Sequence, residues 1–544
     1  MTQAAPQSVS FAPYGADASS SAARVAEWHR QGWWRDEDLW SGFARVAAQR
    51  GAQPAIIDGA RTIDYHTLAG QAARLAGALT RLGVRPGDTV VVHGRNSLES
   101  SLALWACACA GAIMTPIPPM YSASQLGSVF ASARPRAVLA TGVPREVATC
   151  AEAVAGCGDA PLFIVPDPAR VGVPAEAFDA LLRDPPLTRA SRRADDLALL
   201  VYSSGTTGLP KGVMHSANSA RHAIAERVRL HRVQPGEPAL VVAQFGFVGS
   251  IVFGHLLGAL TGLCSIFLAS WDADEALRLI ERHRISYLLM MPTHAHDVLA
   301  SPLLGQLDTS CLRRGAMGGL TQAQRRAVAE RFCKPLPAYG MSECLGFTSC
   351  DVEAGAGQWL TSDGVPFAGT EVRVVDDTDQ PLPCGSTGHI QVRGPSRCLG
   401  YLGAPELNAA GFTADGFYRT GDLGWIDAAG CVGFATRAKD IIRRGGVTIV
   451  PGDLEAVLLQ HPRIEHVAVV GLPDARLGER ACACVVTRDR LPLDIDELTR
   501  FLDARGVARY TWPESTALFE SFPRSASLKV QKPALVEQLL RDHV

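Results

Sequence analysis

Residues 202–212 read Tyr-Ser-Ser-Gly-Thr-Thr-Gly-Leu-Pro-Lys-Gly and concentrate hydroxyls, glycines and one lysine. The segment follows the apolar run 197–201, so the sequence predicts a strand that leads into a loop. Glycines let successive backbone N–H groups face an anion, the hydroxyls add donors, and Lys211 adds positive charge. This chemistry suits a polyphosphate. The residues predicted to bind it are Ser203, Ser204, Gly205, Thr206, Thr207, Gly208 and Lys211.

The spacing in this loop differs from that of the common P-loop nucleotide motif. A second glycine five residues after Gly205 would fall on Pro210, and Lys211 is followed by Gly212 rather than by serine or threonine. The simplest kinase or GTPase interpretation is therefore excluded. The alternative is a flexible Gly/Ser linker, which is less consistent with a preceding buried strand and a Pro-Lys-Gly end.

Composition restricts the class of protein. The 544 residues exceed what a single core holds and indicate several folding units. Apolar residues make up 47% of the chain and charged residues 19%, which is typical of a globular protein. The net charge of −2 and the lack of a lysine or arginine run longer than that at Arg443 and Arg444 argue against a nucleic-acid partner.

Cysteine usage and apolar runs predict a cytoplasmic location. The 14 cysteines include no Cys-x-x-Cys pair, so buried reduced thiols are favoured over metal ligands or disulfides. The sequence starts without the pattern of a secretory signal. The longest apolar run, residues 102–114, is shorter than the ~18 to 20 residues needed to span a bilayer, and it predicts a buried helix followed by a strand. We therefore expect no membrane span and a reducing compartment.

Helical and strand periods alternate from residue 65 to about residue 300. Thr67 is a predicted helix cap, Gly83 a predicted helix end, and residues 89–93 a predicted strand. Asp272 also precedes a predicted helix. Further strands are predicted at residues 137–140, 162–165, 239–242 and 285–291. The alternation predicts an α/β fold with mostly parallel sheets covered by helices on both faces.

The pattern changes after about residue 360. Short segments separated by glycines predict a small β-rich, barrel-like subdomain, with strands at residues 371–375, 390–393 and 432–434. From near Lys439 the pattern is that of a compact α+β module, with elements at residues 454–459, 464–470, 481–486 and 495–502. The predicted domains are a large N-terminal domain, residues 1–436, and a small C-terminal domain, residues 437–544.

Four further motifs follow the loop. They are Tyr-Gly-Met-Ser-Glu at 339–343, Tyr-Arg-Thr-Gly-Asp at 418–422, Arg-Ala-Lys-Asp at 437–440 with Gly445 and Gly446 beyond it, and Pro-Arg-Ser-Ala-Ser-Leu-Lys-Val-Gln-Lys at 523–532. Their order and separations resemble the core motifs of the adenylate-forming superfamily, which includes acyl-CoA synthetases, peptide-synthetase adenylation domains and firefly luciferase. The resemblance extends from about Asp38 to Leu535 and implies an enzyme that activates a carboxylate with ATP.

The resemblance implies roles in nucleotide binding. The flat ring of Tyr339 suits stacking on adenine, the alternative being a core tyrosine. Glu343 and Thr206 are implied to hold Mg²⁺ and to take part in catalysis, because a hard cation prefers oxygen ligands and few protein carboxylates. Without the motif, Glu343 would be a solvated surface residue. Further nucleotide contacts are implied for Gly318, Gly340 and Ser342.

Asp422 and Arg437 are implied ribose contacts, and Lys529 is the implied catalytic lysine. The alternative for Asp422 is a turn aspartate that bonds its own backbone. Attack of a carboxylate on the α-phosphate brings two anions together, and an ammonium group between them offsets the repulsion. Lys529, and not Lys532, matches the family motif, although Leu528 replaces the usual preceding glycine. Without the motif, Lys529 would be a solvated charge.

The implied reaction has two halves. A carboxylate and ATP give acyl-AMP and pyrophosphate, and then a thiol displaces AMP. In this family the small C-terminal domain is mobile and rotates between the two steps, with Lys439 at the hinge and Gly445 and Gly446 facing the pantetheine. Hinges need only a few residues that tolerate new dihedrals; the alternative is an exposed connection. Thr436 replaces the glycine that usually precedes Arg437.

The acid-binding residues are the least determined. The family commonly has an aromatic-histidine pair where this chain has Phe245 and Gly246, so the lost imidazole is expected to leave space. The predicted acyl pocket also includes Phe247, Met291, Gly315 and Met341. These residues are small or apolar, which favours an uncharged aliphatic, alicyclic or aromatic acid. Residues 33–38 and 339–343 also resemble cyclohexanecarboxylate-type and medium-chain CoA ligases.

Three functions stay open at this point. The first is a carboxylate–CoA ligase that uses ATP, Mg²⁺ and coenzyme A, as a monomer or homodimer. The second is an enzyme that adenylates an acid and loads it onto the phosphopantetheine of a carrier protein. The third is a nucleotide-binding regulator that has lost catalysis, which the presence of Lys211, Glu343, Asp422, Arg437 and Lys529 argues against.

Overall fold

The computed structural model describes residues 18–190, 192–204, 210–445, 447–524 and 530–542. They form two compact units. The first contains the described residues of Met1–Glu371 and Val392–Tyr418, and the second those of Val372–Gln391 and Arg419–Val544.

The helices of the described chain, in order, are α1 (Ala18–Arg30), α2 (Leu39–Arg50), α3 (Tyr65–Arg81), α4 (Leu98–Cys109), α5 (Ala123–Ala133), α6 (Pro144–Ala155), α7 (Phe178–Leu181), α8 (Ala217–His231), α9 (Val248–Ser250), α10 (Leu257–Thr261), α11 (Ala273–His283), α12 (Pro292–Ala300), α13 (Gln322–Arg331), α14 (Ala356–Thr361), α15 (Pro405–Gly411), α16 (Pro451–Leu458), α17 (Ile495–Asp503) and α18 (Lys532–Asp542). A π-helical turn, Ile251–Leu256, joins α9 to α10.

The strands are β1 (Pro54–Asp58), β2 (Arg61–Asp64), β3 (Thr89–His93), β4 (Ile113–Ile117), β5 (Ala137–Ala140), β6 (Leu162–Val165), β7 (Glu176–Ala177), β8 (Leu197–Ser204), β9 (Pro210–Ser216), β10 (Pro238–Val241), β11 (Cys264–Phe267), β12 (Tyr287–Met290), β13 (Arg314–Met317), β14 (Lys334–Tyr339), β15 (Thr348–Ser349), β16 (Val365–Pro366), β17 (Glu371–Val375), β18 (Gly388–Arg393), β19 (Gly400–Tyr401), β20 (Tyr418–Ile426), β21 (Val432–Arg437), β22 (Ile442–Arg444), β23 (Val447–Ile449), β24 (Ile464–Asp474), β25 (Gly478–Thr487) and β26 (Ser515–Leu518).

The first unit contains two large sheets. One has the order β16-β15-β14-β13-β12-β10-β11-β1-β2, in which the strands from β14 to β1 are parallel neighbours. The other has the order β19-β9-β8-β4-β3-β5-β6-β7, in which β8 to β7 are parallel and β9 and β19 are antiparallel. The predicted α/β fold with mostly parallel sheets is thus confirmed.

One hydrophobic core draws on both sheets. It includes Val90 and Val92 of β3 and Ala239 and Val241 of β10, packed with side chains of α3 and α4. A second core covers the other face of the nine-stranded sheet, where Leu240, Leu288 and Met290 meet α11, α12 and α13. Burial on both faces explains why strands such as β5, Ala-Val-Leu-Ala, are apolar throughout.

Local predictions are mostly confirmed in the structure. The strands predicted at 89–93, 137–140, 162–165 and 371–375 have these bounds, and residues 102–114 run from α4 into β4. Thr67 as the cap of α3 is wrong. Asp64 is the cap, because its extended backbone lets the carboxylate accept from the Thr67 N–H at 2.7 Å.

The second unit is built on two smaller sheets. The predicted β-rich subdomain is a four-stranded sheet, β17-β18-β20-β21. The predicted α+β module is a five-stranded sheet in which β25 pairs with β22, β24 and β26. Alternate residues of β25 enter two cores: Ala481, Ala483 and Val485 face α16 and α17, while Cys482 and Cys484 face α18. The four-stranded sheet belongs with the C-terminal residues, so a domain boundary at 436/437 and a hinge at Lys439 stay predictions.

The cysteines do not form a metal centre or a disulfide. All 14 lie in the described part of the chain as free thiols, and most are buried. The described residues contain no group of three or more His, Cys, Asp or Glu side chains that could hold a metal ion. Among these residues there is also no helix of sufficient length and apolar character to cross a membrane.

Candidate active site

Strands β8 and β9 hold the ends of the predicted phosphate loop. They pair antiparallel, with Ser203 opposite Lys211 and Tyr202 opposite Gly212. A Cβ at Gly212 would lie 3.2 Å from the Tyr202 ring, so glycine lets this ring lie across the strand. The Tyr202 hydroxyl is 2.5 Å from Ser132 Oγ, and burial raises the pKa of Tyr202 to about 12. The rest of the loop lies outside the described residues, namely Gly205, Thr206, Thr207 and Gly208.

The segment after β14 makes a tight turn that requires glycine. Tyr339 ends the strand and packs its ring 4.6 Å from that of Phe347. A Cβ at Gly340 would lie 2.2 Å from the Leu345 carbonyl oxygen, so no side chain fits there. Leu345 itself has a φ of 57°, a left-handed conformation that costs about 1–2 kcal/mol for a branched residue. The turn therefore holds Met341, Ser342 and Glu343 in one backbone arrangement.

His215 connects this turn to the antiparallel strands β8 and β9, here called the phosphate-loop hairpin. It lies on β9, and its Nε2 is 2.7 Å from the Ser342 carbonyl oxygen. The carbonyl can only accept, so Nε2 carries the hydrogen, and Nδ1 lies 3.2 Å from Ser219 Oγ. The sequence interpretation missed His215. The available signal was an imidazole directly after the apolar pair Val213 and Met214 of β9.

Glu343 is held at both its backbone and its carboxylate. Its carbonyl accepts from the Cys398 N–H at 2.7 Å, and its Oε1 accepts from the Tyr401 hydroxyl at 2.7 Å. A single oxygen ligand of this kind fits Mg²⁺, which usually binds one or two protein carboxylates together with waters and phosphate oxygens. The structure thus offers a suitable ligand in Glu343, while Thr206 lies outside the described residues.

Residues predicted to bind the acid or the nucleotide gather at one edge of the nine-stranded sheet. Met291 follows β12, Gly318 follows β13, and Met341 lies beyond β14, each at the carboxyl end of its strand. These strands are parallel neighbours, so their carboxyl ends share an edge, where α/β folds bind ligands. Gly315 differs, because a Cβ there would point into the second core, 2.9 Å from Met317 Cε.

The segment after β10 contains a correction. Gly246 has a φ of 89°, and a Cβ there would lie 2.4 Å from the Pro118 backbone nitrogen. The expectation that a missing imidazole leaves space at this position is therefore wrong, since the backbone beyond β4 fills it. Phe245 is fully buried with its ring 5.4 Å from that of His255, whereas Phe247 is half-buried.

The second unit brings Asp422 and Arg437 together. They are opposite residues of β20 and β21, with Arg437 Nε 3.6 Å from Asp422 Oδ1. The Asp422 carboxylate is 5% exposed and the Arg437 side chain 44% exposed. Gly421, with a φ of 73°, lies within the strand, so Asp422 is a strand residue and not the turn aspartate of the alternative interpretation. The geometry leaves the guanidinium accessible beside a fixed carboxylate.

Lys439 and Gly445 lie in connections of the second unit. Lys439 is exposed in a short 3-10 turn, Ala438–Asp440. Gly445, with a φ of 56°, begins the two-residue connection between β22 and β23, a geometry that favours glycine. Gly446 lies outside the described residues.

The C-terminal lysines differ in their surroundings. Lys529 lies outside the described residues, whereas Arg524 and Val530 form an antiparallel β-bridge. Lys532 instead forms an ion pair with Glu455, with Nζ 2.7 Å from Oε1. This partner gives Lys532 a structural role, and the catalytic role of Lys529 stays a prediction.

Buried histidines should make the first unit sensitive to acid. Burial lowers the pKa of His93, His215, His222 and His294 to about 4, and that of His255 to about 3. Between pH 6.5 and 4 the unfolded chain binds protons on these imidazoles that the folded chain does not. Stability is therefore expected to fall as the pH falls through this range, by about 2 kcal/mol per imidazole at pH 5.

Urea unfolding at pH 7.5 and pH 5.0 measures this loss. Replacing His222 with glutamine should lower the proton uptake on unfolding at pH 5.0 by about one. A protein that is equally stable at both pH values would contradict the prediction.

Comparison with known proteins then decides the family. The profile of the AMP-binding enzyme family matches residues 43–402, and that of the AMP-binding enzyme C-terminal domain matches residues 453–529. The chain belongs to the AMP-binding enzyme family. The predicted membership of the adenylate-forming superfamily and the predicted class of AMP-forming ligase are thereby confirmed.

Known proteins resemble the chain over nearly its whole length. The medium-chain fatty-acid–CoA ligase of Escherichia coli is 30% identical over 531 residues, 95% of this chain and 93% of that protein. The 2,3-dihydroxybenzoate-AMP ligase of Bacillus subtilis is also 30% identical, with 95% and 96% covered. The ATP-bound structure of MatB from Rhodopseudomonas palustris has a TM-score of 0.84 and 27% identity, with 93% and 100% covered.

Proposed function

We propose that the protein is an ATP-dependent carboxylate–CoA ligase that forms acyl-AMP and pyrophosphate, and then acyl-CoA and AMP. The observation that carries this proposal is the His215–Ser342 hydrogen bond, which joins the phosphate-loop hairpin to the Glu343 turn. This hydrogen bond joins β9, which follows the proposed polyphosphate-binding loop, to the turn that contains the proposed cation ligand Glu343. The full-length likeness to AMP-binding enzymes supports the same reaction.

In the first half-reaction, a carboxylate oxygen of the acid attacks the α-phosphorus and the bond to pyrophosphate breaks. Lys211 and the backbone of residues 203–208 bind the phosphates. Asp422 accepts hydrogen bonds from the ribose, and Arg437 holds that carboxylate in place. Lys529 offsets the repulsion between the two anions. Glu343 and Thr206 would hold Mg²⁺, which would neutralise charge on the phosphates when bound.

In the second half-reaction the thiol sulfur attacks the acyl carbon. The bond from that carbon to the AMP oxygen breaks, and AMP leaves with the oxygen that came from the acid. We assign Gly445 and Gly446 to the pantetheine and Lys439 to the hinge between the two steps. The exposed 3-10 turn at Lys439 supports a segment whose dihedrals can change.

The acid is proposed to be uncharged and hydrophobic. Met291, Met341 and Phe247 are half-buried at or near the carboxyl edge of the nine-stranded sheet and supply apolar contacts. A second charged group on the acid would lose its hydration there without gaining a partner from these side chains. Aliphatic, alicyclic and aromatic acids of medium size satisfy this requirement. We also propose a cytoplasmic location and retain monomer or homodimer as the expected state.

A panel of carboxylic acids tests the proposal. Pyrophosphate is expected only when ATP, Mg²⁺ and a suitable acid are all present, and AMP release should be faster with coenzyme A than without it. The readouts are pyrophosphate release and AMP formation for each acid. Pyrophosphate release that is independent of the acid, or ADP in place of AMP, would contradict the reaction.

A carrier-protein acceptor is the second candidate. It is favoured by the likeness to 2,3-dihydroxybenzoate-AMP ligase and to the salicyl-AMP ligase / salicyl-S-ArCP synthetase of Mycobacterium tuberculosis. The same panel separates the two acceptors. An acid that forms acyl-AMP quickly but yields no thioester with coenzyme A, and does yield one with a phosphopantetheinylated carrier, would assign this function.

A further inference from the structure

The Glu343 carboxylate is held by two tyrosine hydroxyls in series. The Tyr401 hydroxyl is 2.7 Å from Glu343 Oε1, and the Tyr418 hydroxyl is 2.9 Å from that of Tyr401. Tyr401 is 8% exposed and Tyr418 is 7% exposed, so both residues are buried and little water reaches them. All three residues belong to the first unit.

The two hydrogen bonds run in one direction, from Tyr418 to Tyr401 and from Tyr401 to Glu343. The Tyr401 hydroxyl donates its one hydrogen to Glu343 Oε1, so its oxygen accepts from Tyr418. A tyrosine hydroxyl carries one hydrogen at neutral pH, so each of the two is a donor. A donor that itself accepts a hydrogen bond is polarised and donates more strongly.

Tyr401 is itself fixed in position. Its backbone N–H donates to Asn408 Oδ1 at 2.7 Å, and the Asn408 amide donates back to the Tyr401 carbonyl at 3.1 Å. Strand β19, which contains Tyr401, pairs with β9, with Tyr401 opposite Val213. Strand β9 begins at the end of the predicted phosphate loop. The pairing of β19 with β9 therefore attaches Tyr401, whose hydroxyl holds Glu343, to the phosphate-loop hairpin.

We propose that Tyr401, supported by Tyr418, is a positioning residue that orients the Glu343 carboxylate toward the divalent cation of bound ATP. The inference rests on the proposed function. The glutamate backbone is held by Cys398, but its side chain has several rotatable bonds. The tyrosine pair removes that freedom before the cation arrives, which is how a hydrogen bond to a ligating carboxylate strengthens metal binding.

Cation affinity tests the assignment directly. Mn²⁺ replaces Mg²⁺ as an EPR-visible probe, titrated onto the full-length protein with a non-hydrolysable ATP analogue. Tyr401→Phe is expected to weaken Mn²⁺ binding by about 10-fold or more. Tyr418→Phe should weaken it by about twofold to threefold. The double variant should match Tyr401→Phe, because Tyr418 acts only through Tyr401.

The kinetic signature separates positioning from a loss of folding. Tyr401→Phe should raise the Mg²⁺ concentration for half-maximal pyrophosphate release, with kcat recovering at saturating Mg²⁺. Tyr65→Phe is the matched control, because the Tyr65 hydroxyl is fully buried and bonds to the Gly258 and Leu263 carbonyls at 2.9 and 2.6 Å. It should lower stability without changing the affinity for Mn²⁺.

The results that contradict the role of Tyr401 differ from those that contradict the proposed function. Equal Mn²⁺ affinity in folded Tyr401→Phe and wild-type protein would overturn the assignment, as would a full additive loss in the double variant. If Tyr401→Phe does not fold, Tyr418→Phe still decides, since unchanged affinity there contradicts the series. A wild-type protein that binds neither the ATP analogue nor Mn²⁺ would instead contradict the proposed function.

Discussion

Lys529→Ala is expected to slow acyl-AMP formation by about 10²- to 10³-fold while leaving thioester formation from supplied acyl-AMP within about threefold of wild type. The reason is that the lysine ammonium stabilises charge only while carboxylate and α-phosphate approach each other. Once the mixed anhydride exists, attack by a thiol at the acyl carbon no longer joins two anions. Pyrophosphate release measures the first half-reaction, and synthesis of acyl-CoA from synthetic acyl-AMP measures the second.

Lys532→Ala is the matched control, three residues away. Lys532 is paired with Glu455, whose Oε1 also accepts from the Val469 N–H at 2.7 Å. Its replacement should reduce the stability of the second unit and leave the ratio of the two half-reactions unchanged. The role assigned to Lys529 would be contradicted by either of two results. One is an equal loss of rate in both half-reactions for Lys529→Ala; the other is a selective loss of acyl-AMP formation for Lys532→Ala.

Gly246→Ala is expected to destabilise the protein by about 3 kcal/mol or more, combining the cost of a left-handed backbone with that of overpacking. The φ of 89° is unfavourable for alanine, and the new Cβ would lie 2.4 Å from Pro118 N and 2.8 Å from the Ile117 carbonyl carbon. These contacts are backbone atoms and cannot rotate away. Urea unfolding measures the loss of stability.

A glycine in open space provides the comparison. Gly127 lies in α5, and a Cβ at this position would meet no neighbouring element within 4 Å, so Gly127→Ala should be neutral or stabilise by about 0.5–1 kcal/mol. The activity of Gly246→Ala toward the preferred acid should fall as well, because relief of the clash moves Phe247. If Gly246→Ala were as stable as wild type, the close approach of residues 117–118 would be disproved.

The fold class and the order of the motifs could be predicted from the sequence because both depend on local patterns. Strands buried on both faces are apolar runs, as at 137–140, and the helix periods between them are regular, so the α/β class follows. The segment 102–114 was predictable for the same reason. Cap positions were less certain, since Asp64 and Thr67 are both good caps and only the backbone conformation selects Asp64.

Contacts between distant segments could not be predicted in this way. His215 and Ser342 are 127 residues apart, and Glu343 and Tyr401 are 58 apart, so neither pair has a spacing that a helix or strand would reveal. Gly246 illustrates the opposite error. Its missing side chain suggested an open pocket, whereas the fold brings the backbone of residues 117–118 against it. A glycine can mark either a space or a close approach, and only the tertiary structure distinguishes them.

The acyl-AMP intermediate is the central claim, and an isotope experiment tests it most directly. The acid is supplied with ¹⁸O in both carboxylate oxygens, together with ATP, Mg²⁺ and coenzyme A, and the products are analysed by mass spectrometry. Attack of the carboxylate on the α-phosphorus, followed by cleavage at the acyl carbon, predicts one ¹⁸O atom in AMP and none in pyrophosphate. Unlabelled AMP, or ¹⁸O in orthophosphate beside ADP, would contradict the account.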